Sequence, residues 1–192
     1  MDLADGVAVG LAARCLRERG RLRSFDIWDT AARGALLVDL VRAGRVVEQA
    51  DAIEVQVAPT GFPPADRLLA AMEVEPQQPL TWWVDHGGVG MSDVADAAVT
   101  AHRWTVRRTL LGRRYAVGTP ASHGEPESAV LDALATACGA AGRRPAEVDR
   151  RDLERAGPLL WICEAVVAHL QEAQWRSIRQ AGAADGSGSP YY

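Results

Sequence analysis

Apolar residues return every three to four positions in one segment after another, and no other feature of the chain restricts its fold as much. Leu159, Ile162, Cys163, Val166, Val167 and Leu170 form one such stripe. Ala35, Leu36, Leu37, Leu40 and Val41 form another, and Val7, Ala8, Leu11, Ala12, Cys15 and Leu16 a third. A stripe with this period lines one face of an α-helix and has to be buried against other elements. The pattern predicts a first helix ending at Gly20 and a second capped by Thr30 and stopped at Gly44. Further helices are predicted over 64–74, 80–84, 127–141, 146–155 and 158–180, and Ser92 is expected to cap another, with Met91, Val94, Ala95, Ala98 and Val99 inward. Period-two alternation is confined to 45–49, 52–58 and 103–117. The first two read as short strands, with Ile53, Val55 and Val57 on one face, and the third as a hairpin turning near Gly112.

The expected fold is mainly α: a single globular helical domain over 1–181, with a short β-hairpin and small peripheral strands. Residues 182–192 are rich in Gly and Ser and are expected to form a disordered tail. A chain of 192 residues, 48% hydrophobic and 24% charged, can bury one core of useful depth.

Composition removes most chemistry. All 21 basic side chains are arginines, so no lysine is present for a Schiff base or a Walker-type phosphate loop. Cys15, Cys138 and Cys163 lie far apart in apolar contexts and read as reduced core thiols. His86, His102, His123 and His169 share no metal-binding spacing. His86-Gly87-Gly88 resembles an esterase oxyanion loop, but no G-x-S-x-G accompanies it. Gly88-Val89-Gly90 lacks the third glycine of a dinucleotide site. Asp26 and Asp29 sit among arginines and read as solvated rather than as an acid–base pair. No catalytic residue, metal or cofactor is expected, and the chain reads as a binding protein rather than an enzyme. Asp2 and Asp5 precede the apolar run Val7–Leu11, the reverse of a secretory signal, and no stretch approaches the ~20 apolar residues of a membrane span. The expected location is cytoplasmic, peripheral where it meets a membrane.

Two basic features suggest a partner. Arg21, Arg23, Phe25, Trp28 and Arg33 interleave guanidinium groups with aromatic rings. Guanidinium forks match phosphate oxygens, and indole rings favour the bilayer interface. The plainer alternative is a tryptophan packed in the core beside scattered surface arginines. The second feature is the hairpin carrying Arg103, Arg107, Arg108, Arg113 and Arg114. A helix followed by a basic hairpin also describes a winged-helix DNA-binding module. The acids of Asp93-Val94-Ala95-Asp96 would repel phosphate from that helix, so no nucleic acid partner is expected. Trp82, Trp83 and Trp104 leave open a lipid-independent adaptor that binds a protein.

The run from Ala32-Arg33-Gly34 through Asp39 to Arg42-Ala43-Gly44-Arg45-Val46 resembles the opening helix motif of the Golgi phosphoprotein 3 family. Pro59-Thr60-Gly61, followed by Asp66 and Leu68-Leu69, resembles that family's Pro-Thr-Gly-Asp turn and leucine helix, with Phe62 where the family has Asp. Arg103–Pro120 resembles its basic hairpin, so the resemblance covers roughly 2–120. It implies a helical domain peripheral to membranes that recognises an anionic headgroup such as phosphatidylinositol 4-phosphate and recruits protein partners. It also implies self-association through the hairpin. Carried over by position, Arg33 matches the pocket arginine and Trp28 lies in the loop of the pocket tryptophan, with Arg21 and Arg23 beside it. Two further pocket arginines of the family fall near Val89 and Ser92. Trp104, Arg107, Arg108, Arg113 and Tyr115 carry the expected hairpin contact between copies.

Overall fold

The computed structural model describes residues 2–22, 26–49, 52–110, 112–140 and 144–185. The helices are α1 (Val7–Cys15), α2 (Asp26–Arg42), α3 (Pro63–Val74), α4 (Leu80–His86), α5 (Met91–Thr100), α6 (Glu125–Ala137), α7 (Arg150–Glu154) and α8 (Leu160–Asp185). Two antiparallel hairpins interrupt them: β1 (Val46–Gln49) with β2 (Ala52–Val55), and β3 (Trp104–Thr109) with β4 (Gly112–Val117). The fold is a mainly α single domain with two small sheets, as the periodicities predict.

Helix α2 organises the core. Ala31, Ala32, Ala35, Leu36, Leu37, Val38 and Leu40 are all sealed from solvent, so its burial extends around most of its circumference. It packs on α1, α3, α4, α5, α6, α8 and β1. Burying each of its leucines stabilises the fold by about 1.5–3 kcal/mol. Gly34 sets the approach of α8: a Cβ there would lie 2.2 Å from Cγ1 of Val166. The helix closes with Gly44 at φ 64°, and the Arg45 N–H returns to the Leu40 carbonyl at 2.8 Å, a left-handed glycine stop.

The same helix supplies the caps of two others. Asp39 is wholly buried and accepts the N–H groups of Val7 and Ala8 at 2.8 and 2.9 Å, holding the first turn of α1. Gly6 is needed beside it, since a Cβ would lie 2.4 Å from the carboxylate. Asp29 accepts the N–H of Met91 at 2.7 Å, at the start of α5. Both contacts place a carboxylate at the positive end of a helix, where unpaired N–H groups collect.

Several boundaries differ from the periodicity. Helix α1 stops at Cys15 because Leu16 turns extended and Arg19 and Gly20 take left-handed φ of 61° and 71°. Helix α2 begins at Asp26, so Trp28 lies in its first turn. Thr30 lies inside the helix, its hydroxyl donating to the Asp26 carbonyl rather than capping. Ser92 does not cap α5; Gly90 precedes the helix, and the Asp93 carboxylate accepts its N–H at 2.8 Å. The second strand ends at Val55, and α7 is shortened to a turn capped by Asp149. Helix α8 runs on through Asp185, past Gly182; the rest of the expected tail lies outside the described residues.

Candidate functional site

The loop that the sequence offers as a headgroup lip is built differently in three dimensions. Trp28 is only 3% exposed. Its indole N–H donates to the Cys138 carbonyl at 3.0 Å, and the Arg17 guanidinium lies 6.0 Å from the ring centroid. A buried indole needs an acceptor, and the C-terminal end of α6 supplies it. The expectation of a solvent-facing indole is therefore corrected: the helix starts early enough to turn residue 28 inward.

Arg33 is equally committed. Its Nε donates to the Val84 carbonyl at 2.5 Å, Nη1 to the Val89 carbonyl at 2.8 Å and Nη2 to the Thr30 hydroxyl at 3.2 Å. Burial lowers its pKa, and the carboxylates of Asp29, Asp85 and Asp26 oppose that. The guanidinium thus holds the α4–α5 connection against α2. Gly87 makes room for it, since a Cβ there would meet Leu68 at 2.7 Å and the Arg33 side chain at 3.1 Å. Val89 is buried and Ser92 is exposed, so neither replaces a cation. Arg23 lies outside the described residues, and Arg21 lies on a turn against the second hairpin.

That hairpin has two chemically distinct faces. Trp104 pairs with Val117 and Val106 with Tyr115. Trp104 and Tyr115 are buried, their rings 6.2 Å apart. The Tyr115 hydroxyl donates to Asp96 on α5 at 2.8 Å, and Arg113 pairs with the same carboxylate. Trp104 and Tyr115 therefore anchor the hairpin to its own domain, and a contact between copies would fall to Arg107 and Arg108, which are exposed. On the other face Arg107 lies directly opposite Arg114. At the tip Leu110 is fully exposed, between Arg107-Arg108 and Arg113-Arg114 in sequence.

Residues 17–21 form a tight turn on β4. The Arg17 N–H donates to the Arg21 carbonyl at 2.8 Å, and Gly20 abuts the Tyr115 carbonyl so closely that a Cβ would lie 2.0 Å from it. This docking brings Arg19 and Arg21 to the strand that carries Arg114. Leu110 and Arg19 were not singled out as binding residues by the sequence, whereas Arg114 was offered only as one arginine of the basic hairpin. The available signal was a Leu-Leu pair where turns favour Gly, Asn and Asp.

Elsewhere the described residues offer little chemistry. Their cysteines are free and buried. The neighbouring Cys138 thiol and burial push the Cys15 thiol up, and burial pushes Cys163 up to about 12. No group of three or more His, Cys, Asp or Glu among the described residues is placed to hold a metal ion. No described helix is long and apolar enough to cross a membrane. Of the tryptophans offered for a protein surface, Trp83 and Trp104 are buried and Trp82 is half-buried, packed on Trp83 and His86.

Comparison with known proteins fits this architecture. No curated protein matches the chain. The family model described as Golgi phosphoprotein 3 (GPP34) matches residues 14–136, from the end of α1 to the last turn of α6. A match over that much of the sequence, on a helical domain with this basic hairpin, establishes that the chain belongs to the Golgi phosphoprotein 3 family.

Proposed function

We propose that this protein binds anionic membrane surfaces from one side, through the β3–β4 hairpin and the turn of residues 17–21 rather than through Trp28 and Arg33. One observation carries the proposal: a fully exposed leucine at the hairpin tip, bracketed by arginines. A leucine on a projecting tip gains nothing in water and gains free energy where acyl chains can cover it. The arginines around it would lie at headgroup depth, where snorkelling guanidinium groups meet phosphates.

The magnitudes describe a reversible contact. Each arginine near anionic lipid contributes about 1 kcal/mol. Arg107, Arg108 and Arg114 count most fully, because Arg113 already pairs with Asp96. Full burial of Leu110 would add about 1.5–3 kcal/mol. At least half of the affinity is therefore electrostatic and falls with salt, the Debye length being about 8 Å at physiological ionic strength. Membership of a lipid-binding family supports the reading and favours a phosphorylated headgroup.

The test is co-sedimentation of the purified chain with vesicles. Recovery is expected with phosphatidylcholine vesicles containing phosphatidylglycerol at low salt, and is expected to fall as salt rises. Equal recovery with pure phosphatidylcholine vesicles would remove the proposal. An adaptor role is favoured separately by Trp175, which stands 62% exposed on α8, an aromatic of the kind enriched at protein hot spots. Trp175→Ala should leave vesicle binding unchanged.

A further inference from the structure

We infer that Arg114, together with Arg19 and Arg21 from the docked turn and Arg107 across the strand pair, forms a binding site for a phosphate monoester. The inference deepens the membrane reading and rests on it only where the ester is carried by a lipid.

The first observation is an orphaned donor. Nη1 of Arg114 is enclosed by protein and has no hydrogen-bond partner among the described residues. A guanidinium N–H withdrawn from water without an acceptor is costly, and folded proteins rarely leave one unmet. The second observation is the company it keeps. Arg107 is its direct cross-strand partner, a pairing in which like charges are destabilising. The turn bearing Arg19 and Arg21 is seated on β4, with Gly20 against the carbonyl of the residue that follows Arg114. Burial lowers the pKa of Arg114, and the charges of Arg21 and Arg19 lower it further. Acids that meet the hairpin's other arginines are engaged there: Asp96 by Arg113 and Tyr115, and Asp2 and Asp5 by Arg103.

A bound anion answers both problems. It would accept from Arg114 and neutralise the mutual repulsion of the guanidinium groups. Planar guanidinium forks match the oxygens of a tetrahedral phosphate. A monoester carries about −1.5 to −2 at neutral pH and offers three strong acceptors. A diester carries one charge, so a cluster of arginines prefers the monoester. Arg19, Arg21 and Arg107 are exposed and Arg114 is half-buried, so an anion reaches the cluster from solvent although one nitrogen of Arg114 is enclosed, and the cluster lies close to the hairpin tip. Arg114 is two residues from Gly112, about 7 Å at the usual strand rise.

The experiment is calorimetric titration of the full chain with inorganic phosphate and with glycerol phosphate, beside the variants Arg114→Gln and Arg19→Gln. Saturable binding to the wild type is expected, weakened about tenfold or more in each variant, in line with the loss of one charge-assisted contact. Arg19 is exposed on a turn, so its substitution tests the site even if Arg114→Gln were to fold poorly. Absence of saturable binding, or unchanged binding in Arg19→Gln, would overturn the inference. The source of the ester is decided with vesicles matched for surface charge, one set containing phosphatidic acid and the other phosphatidylglycerol. A preference for phosphatidic acid that Arg19→Gln removes supports the site and assigns it to a lipid. Glycerol phosphate binding without any vesicle binding also supports the site, assigns it to a soluble ester, and counts against the membrane reading. Vesicle binding with no response to either soluble ester counts against the site and leaves the membrane reading standing.

Discussion

Nη1 of Arg33 donates to the backbone carbonyl of Val89 at 2.8 Å. That bond turns the arginine of the Arg-Gly pair from a surface cation into a strut between α2 and the connection entering α5. The Val84 carbonyl takes a second bond from the same guanidinium. Arg33→Ala would leave two part-buried carbonyls without it, at about 1–3 kcal/mol for each acceptor that water fails to reach. Equilibrium urea unfolding should show a lower midpoint with little change in slope. Vesicle binding by the folded fraction should be retained, which a headgroup role for Arg33 would not allow.

The crossing of α2 and α8 depends on the absence of a side chain at Gly34. Gly34→Ala would drive a methyl group to 2.2 Å from Cγ1 of Val166. Valine is stiff about χ1 and cannot swing aside within a helix. Overpacking of this kind costs about 1–3 kcal/mol. Val166→Ala should recover part of the loss, so a double-mutant cycle measured by denaturant unfolding should give a coupling energy clearly different from zero.

Stability should respond to pH through Asp39. Burial raises its pKa to about 6, against the N–H groups of Ala8 and Val7 and the charge of Arg42, which pull it down. The folded state therefore holds a proton that the unfolded chain releases between about pH 4 and 6. Stability from this group rises as pH falls through 6 and is complete below about 4. Above 6 the ionised carboxylate costs on the order of 3 kcal/mol relative to an exposed one. Asp93 acts in the opposite sense. Burial raises its pKa, but Arg67 and the Gly90 N–H outweigh that and hold it low, so its contribution fades at acid pH. Thermal unfolding should show a higher midpoint at pH 5 than at pH 7, and Asp39→Asn should flatten that slope.

The helices were legible because their apolar faces repeat over several turns. The segment 158–180 and the leucine run of α2 were found where the spacing put them. Ends were less legible, because they depend on tertiary partners. Ser92 has the right chemistry for a cap, yet Asp29 from α2 and Asp93 take the N–H groups at that end. Trp28 and Arg33 were misplaced for a related reason. Composition shows an aromatic among arginines, but only packing decides whether the ring meets lipid or the Cys138 carbonyl. The hairpin lies where the alternation put it, whereas the cluster of Arg19, Arg21 and Arg114 joins residues nearly a hundred positions apart and has no local signal.

The tip of the hairpin gives the most direct test of membrane contact. Leu110→Asp should abolish sedimentation with anionic vesicles, because a carboxylate among the headgroups is repelled where a leucine is covered. More directly, Leu110→Cys can be labelled selectively with an environment-sensitive fluorophore, since Cys15, Cys138 and Cys163 are buried. Contact through the tip predicts a blue shift in emission on adding anionic vesicles at low salt. Neutral vesicles should give none, and neither should the same label at Val74→Cys, an exposed position on α3. Unchanged emission at position 110 while the protein sediments with those vesicles would contradict it.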